Sequence, residues 1–148
     1  MKKQQIITII TILLIMLWVY AAGSKLWFYA AFKLQLARQL LPHWSIAVLA
    51  WALPLVELIT AALLSFPKTL RKGLLLSALL LLAFTIYVGL ALAHIFKNVP
   101  CSCGGILGKM GWPAHFIFNI CFTITAFTGW WMAKSNHKIF ARYKKVHA

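Results

Sequence analysis

The stretch Val99-Pro100-Cys101-Ser102-Cys103-Gly104-Gly105 carries the chain's most reactive pattern. Two thiols one residue apart can close a small, strained disulfide, which is easier to reduce than a structural one. Pro100 restricts how the chain approaches the pair, and Gly104 and Gly105 leave the backbone free to admit a partner thiol or cofactor. Lys97 and Lys109 lie close enough in sequence to favour thiolate. The same pattern fits metal binding, and also a turn in which the cysteines are merely tolerated.

Two histidines flank this loop. His94 precedes it and His115 follows it, so Cys101, Cys103, His94 and His115 could together form a tetrahedral site for zinc or copper, although C-x-C is tighter than the usual metal-ligand spacing. His115 can instead carry a proton or face a thiolate, and Asn119 lies one helical turn beyond it. Glu57 is the only acidic residue in the chain and falls within an apolar run, where an ionisable group is costly and usually functional. It needs a partner. Counted at about 1.5 Å per residue, Glu57 lies roughly 16 Å from the outer, N-terminal end of its run and Tyr87 about 13 Å from the outer, C-terminal end of its run, so the two can meet at similar depth. Glu57 is a candidate proton acceptor, quinone ligand or protonated hydrogen-bonder. Cys121 sits among Phe116, Phe118 and Phe122 and reads as a small packing residue, as Phe84 and Phe127 read as packing and lipid contact.

The elements that position these residues follow from composition. Of 148 residues, 63% are hydrophobic, well above the roughly half expected of a soluble domain. Four runs, at about 6–22, 46–66, 73–96 and 113–133, are long and apolar enough to span a bilayer. Trp18, Trp44, Trp112, Trp130 and Trp131 lie near run ends, as interfacial aromatics do. The first run also resembles a signal peptide, but its apolar core is longer than a signal's, and it is read as a retained span. Between the first two spans, residues 25–41 read as an amphipathic helix lying in the membrane interface. Ser24 would cap it and Pro42 would end it. Lys25, Lys33, Gln35 and Gln39 fall on one arc, and Leu26, Ala30, Leu34, Ala37 and Leu41 on the other. The fold class expected is an all-α four-helix membrane bundle forming a single domain, with a basic tail over 134–148.

Fifteen basic side chains against one acidic give a net charge of +14. Because Lys and Arg cluster at the ends of apolar runs, the charge points to lipid headgroups and topology rather than to nucleic acid. Ten of them (Lys2, Lys3, Lys68, Arg71, Lys72, Lys134, Lys138, Arg142, Lys144 and Lys145) fall on one side. Lys25, Lys33, Arg38, Lys97 and Lys109 fall on the other. The positive-inside rule then puts both termini in the cytoplasm and Cys101 and Cys103 on the oxidising, extracytoplasmic face.

The chain resembles the MauE/DoxX-like redox-associated membrane proteins of bacteria. The resemblance rests on Tyr20-Ala-Ala-Gly-Ser24-Lys25-Leu26, Leu53-Pro54-Leu-Val-Glu57-Leu58, Phe84-Thr-Ile-Tyr87, Pro100-Cys-Ser-Cys-Gly-Gly105, and Gly111-Trp112-Pro-Ala-His115-Phe-Ile-Phe-Asn119. It implies a four-helix bundle in the bacterial inner membrane. The methylamine utilisation branch implies a role in maturing a periplasmic enzyme by forming or transferring disulfides, and the DoxX branch implies quinone-linked sulfur oxidation. By the same resemblance Cys101 and Cys103 would be the redox pair, with Lys25, Glu57, His115 and Asn119 around them; apart from the resemblance, Tyr87 and Asn119 are candidates for binding a cofactor, for which a quinone is one option. The function expected is thiol–disulfide exchange with an extracytoplasmic thiol protein. The alternatives are a non-catalytic subunit of a membrane complex and a metal-binding protein.

Overall fold

The computed structural model describes residues 2–38, 42–93 and 111–135. The Cys101–Cys103 loop, His94, Lys97, Lys109, Leu41 and the basic tail beyond 135 lie outside the described residues. Among the described residues five helices follow one another: α1 (Lys3–Trp27), α2 (Tyr29–Ala37), α3 (His43–Ser65), α4 (Leu70–Leu92) and α5 (Trp112–Ser135). Among the described residues there is no strand. Four of these described helices are long and apolar enough to cross a membrane, at Lys3–Trp27, His43–Ser65, Leu70–Leu92 and Pro113–Lys134. Their outer faces are apolar, with Met16, Trp51, Ile117 and Trp131 all more than 60% exposed, as suits contact with acyl chains. The chain is a multi-pass helical membrane protein.

The bundle closes as a ring in which α1 packs on α3, α3 on α4, α4 on α5 and α5 on α1, while α2 lies against α3. Lipid tails are as apolar as leucine, so burying leucine between helices gains little, and close approach and interhelical hydrogen bonds must do more. Both are present. A Cβ on Gly73 would stand 2.8 Å from the backbone nitrogen of Leu64, so only glycine lets α4 approach α3 this closely. A Cβ on Gly129 would stand 2.9 Å from Ile10, which sets the approach of α5 to α1. Across the bundle, Trp18 Nε1 donates to Ser77 Oγ at 2.9 Å, and the Thr85 and Thr123 hydroxyls lie 3.1 Å apart. Each hydroxyl also lies within bonding distance of the carbonyl one turn back, Leu81 and Asn119 respectively, so one threonine donates across the pair while the other donates within its own helix. The central core runs through Ile7, Ile10, Leu14 and Trp18 of α1 to Leu64, Leu74 and Leu81.

Three sequence expectations are corrected and one is extended. First, the helix expected over 25–41 begins at Tyr29, because α1 continues to Trp27 before the chain turns at Phe28. Ser24 therefore caps nothing; it lies inside α1 and donates to the Ala21 carbonyl at 3.0 Å. Second, as an addition to the expected interfacial helix, α2 turns Phe32 and Leu36 to the bundle, packed on Ile46 and Ala50, while Leu26, Ala30, Leu34 and Ala37 stay exposed. In a membrane an apolar stripe need not face protein, since lipid serves it equally well. Third, Trp18 is not interfacial but a core residue, 2% exposed, held by its bond to Ser77. Fourth, Cys121 is exposed on the outside of α5. Asn119, Thr123 and Ala126 hold the inward face, and Cys121 lies about 200° round the helix from Asn119.

A polar-lined cavity at one end of the bundle

Five of the residues singled out from the sequence line one cavity. Lys25 on α1, Glu57 on α3, Tyr87 on α4, and His115 and Asn119 on α5 surround a space of about 290 Å³. Each helix supplies its part by simple register. Trp18, Ala21 and Lys25 follow one another at helical spacing down one face of α1, and Leu49, Leu53 and Glu57 do so on α3. His115 and Asn119 are one turn apart on α5, as are Phe84 and Tyr87 on α4. Phe32 and Leu36 of α2 complete the wall.

The residues come from the C-terminal parts of α1 and α4, the N-terminal part of α5, and the stretch of α3 from Leu49 to Glu57, just past its middle, so the cavity runs from one end of the bundle toward its centre. From this end the chain leaves α4 at Leu92 and re-enters at Trp112, the start of α5. The segment containing Cys101 and Cys103 joins those two points.

At the centre of the cavity wall is a buried ion pair. Lys25 Nζ donates to Glu57 Oε1 at 2.7 Å, with the two side chains 6% and 2% exposed. The ammonium also donates to the Ala21 carbonyl at 3.3 Å and stands 5.9 Å from the centre of the Phe32 ring. A charge held inside a low-dielectric bundle needs such a partner, because desolvating either group alone costs several kcal/mol. The arrangement answers the question Glu57 raised in the sequence. Its ion-pair partner is Lys25, a residue that reads as part of the polar arc of an interfacial helix unless the face running from Trp18 through Ala21 is extended one further turn.

Pairing does not exhaust the polar atoms. Glu57 Oε2, His115 Nδ1 and Asn119 Nδ2 are buried and have no hydrogen-bond partner among the described residues. Such orphans are rare because each costs about 1–3 kcal/mol. Here three converge on one space whose surface is otherwise apolar. The His115 ring stacks on Phe118 with centroids 6.4 Å apart, and Phe118 packs on Phe122 at 4.5 Å, so the imidazole is held by an aromatic ladder along α5. Phe84, expected only to pack, both lines the cavity and lies 6.4 Å from Trp18. The walls thus offer aromatic and aliphatic surface for a flat apolar body, with a carboxylate oxygen, an imidazole nitrogen and an amide N–H to fix its polar atoms.

Among the described residues no three His, Cys, Asp or Glu side chains come together in a way that could hold a metal ion. The four-ligand site considered from the sequence draws on His94, Cys101 and Cys103, which lie outside the described residues, and only His115 of that set is placed. The apolar lining, from Leu17, Leu36, Leu49, Leu53 and Leu81, was not foreseen, because it depends on how the helices pack rather than on any local motif.

Neither a curated protein nor a solved structure shows significant similarity to the chain. A family model does, that of the methylamine utilisation protein MauE, and it matches residues 3–132, from the first helical residue to near the end of α5. This four-span membrane protein, with a buried Lys25–Glu57 pair in its cavity, therefore belongs to the MauE family.

Proposed function

We propose that the chain is an inner-membrane thiol–disulfide redox protein of the maturation type, with Cys101 and Cys103 as its exchanging pair and the cavity as the site of a quinone. The carrying observation is the convergence of Glu57 Oε2, His115 Nδ1 and Asn119 Nδ2, all buried and unpartnered, on an apolar cavity at the bundle end where the cysteine segment joins α4 to α5. The MauE family match supports the maturation role. The excess of ten Lys and Arg against five supports cytoplasmic termini and an extracytoplasmic cysteine segment.

The chemistry balances as two coupled steps. In the first, a dithiol on an extracytoplasmic partner exchanges with the Cys101–Cys103 disulfide, so the partner gains its disulfide and the two cysteines become thiols. In the second, Cys101 and Cys103 give up two electrons and two protons as their S–S bond forms again. A bound quinone supplies the acceptor for those two electrons and two protons. The residues present fit such a group: the cavity lies near the lower end of the size range of small-molecule sites, its walls are apolar, and Asn119 offers an N–H to a carbonyl oxygen. His115 Nδ1 and Glu57 Oε2 hold or pass protons at that point, and Lys25 fixes the Glu57 carboxylate through Oε1. Tyr87 adds its phenol to the same wall.

The test is the redox state of the pair. Purified full-length protein is equilibrated with dithiothreitol or with a mild oxidant, alkylated, and weighed. The expected result is a reversible shift of two alkyl groups that disappears in Cys101→Ser/Cys103→Ser. A pair inert to both treatments would overturn the proposal and favour the accessory-subunit reading.

A further inference from the structure

The walls of the cavity are not equally closed. Among the described residues that line it, Ala83 of α4 alone is exposed on the outer surface of the bundle; Leu49 and Leu53 of α3 are half-buried, while Lys25, Glu57 and His115 are buried. A residue that touches both the cavity and the outer surface marks a mouth. Ala83 lies near the middle of the bundle wall, thirteen residues into α4, and so at a depth where the surroundings are acyl chains rather than water.

The packing explains why an opening occurs there. At their connecting turn, α3 and α4 are clamped together, with Gly73 against the backbone of Leu63 and Leu64 and Thr69 Oγ1 donating to the Leu63 carbonyl at 2.8 Å. Toward the other end, side chains from both helices line the cavity. Above the turn nothing repeats that clamp: α3 has no glycine, the next glycine of α4, Gly89, faces Phe116 of α5, and Ala83 contributes only a methyl group to the wall.

Resting on the reading of the cavity as a quinone site, we infer that the ligand passes through the wall at Ala83, between α3 and α4. Its polar head lies against Glu57, His115 and Asn119, and its apolar tail leaves sideways into the bilayer. The site therefore selects a membrane-dissolved amphiphile with a long hydrocarbon tail over a water-borne molecule of the same head chemistry. A head alone loses the tail's contacts with Leu53 and the lipid, and a tailed ligand needs no aqueous route.

The experiment uses the full-length protein in lipid nanodiscs and two probes, a tail-less methoxy-benzoquinone and its long-tailed isoprenoid homologue. Bound quinone is extracted and quantified, with protein-free nanodiscs subtracted. Affinities are expressed as the ratio of variant to wild type, which cancels partitioning into lipid. Ala83→Trp fills the mouth, and Leu79→Trp places the same bulk one turn away on the exposed face of α4. Ala83→Trp is expected to weaken the long-tailed quinone about tenfold or more, the equivalent of an overpacking penalty of about 1.4 kcal/mol, while the tail-less head keeps its affinity. Leu79→Trp is expected to change neither. The retained head binding shows that Ala83→Trp is folded. Equal weakening of both probes by Ala83→Trp, or of neither, would overturn the lateral mouth and leave the quinone site standing. Failure of wild type to bind either probe would overturn the quinone site itself, and the mouth with it.

Discussion

Replacing Glu57 with leucine leaves the Lys25 ammonium inside the bundle with a carbonyl 3.3 Å away and the face of Phe32 as its remaining contacts. Breaking a buried ion pair from one side typically costs about 3–5 kcal/mol, because the remaining charge has lost its compensation. Two features pull the expectation toward the lower end. The Ala21 carbonyl and Phe32 still stabilise the cation, and in a membrane the unfolded reference state also finds polar partners, which trims such energies. About 3 kcal/mol is therefore expected for Glu57→Leu, and a similar loss for Lys25→Met, which strands the carboxylate. The double variant removes both charges and keeps apolar volume, so it should lose much less than the sum, with a coupling of about 2 kcal/mol or more. The assay is reversible unfolding in mixed detergent micelles followed by far-UV circular dichroism, carried through the full double-mutant cycle. Additive single effects, or single variants within about 0.5 kcal/mol of wild type, would refute the reasoning, because either result means that the 2.7 Å contact carries no coupling.

Three further outcomes follow. Gly73→Val should lower stability by about 1–3 kcal/mol in the same assay, since its Cβ meets the Leu64 backbone and the helices must part; Gly23→Val, which meets nothing nearby, should be far milder. Trp18→Phe should cost about 1 kcal/mol or somewhat more through the unpaired Ser77 hydroxyl, and Trp18→Phe/Ser77→Ala should recover part of that loss. In a background lacking the native cysteines, Lys68→Cys should react with an impermeant thiol reagent only in inverted vesicles and Trp44→Cys only in right-side-out spheroplasts; the reverse pattern would invert the proposed orientation.

How much of this was readable beforehand depends on the range of the interactions. The spans were legible because membrane insertion imposes a length and composition that any stretch of sequence displays locally. Glu57 stood out for the same reason, as a lone carboxyl in an apolar run. Lys25 as its partner was hidden, because residues 25–41 read as one interfacial helix with Lys25 on its polar arc, and only the continuation of α1 to Trp27 places it inward. Trp18 looked interfacial from its position, and its burial depends on Ser77, 59 residues away. Cys121 looked like core because its neighbours are aromatic, but a turn of about 100° per residue decides which face it takes. The cavity itself has no local signature. Its lining is drawn from all five helices, so it emerges only once they pack.

The central claim is that the cysteine pair and the cavity work as one redox unit. It is tested most directly by mixing the fully reduced protein anaerobically with a stoichiometric long-tailed benzoquinone and counting, in the same sample, free thiols by alkylation and quinol by absorbance. The account expects one quinol formed for each Cys101–Cys103 disulfide, with the reaction lost in Cys101→Ser/Cys103→Ser and slowed in Asn119→Ala. Reduced thiols that persist beside unreacted quinone in folded wild-type protein would contradict it.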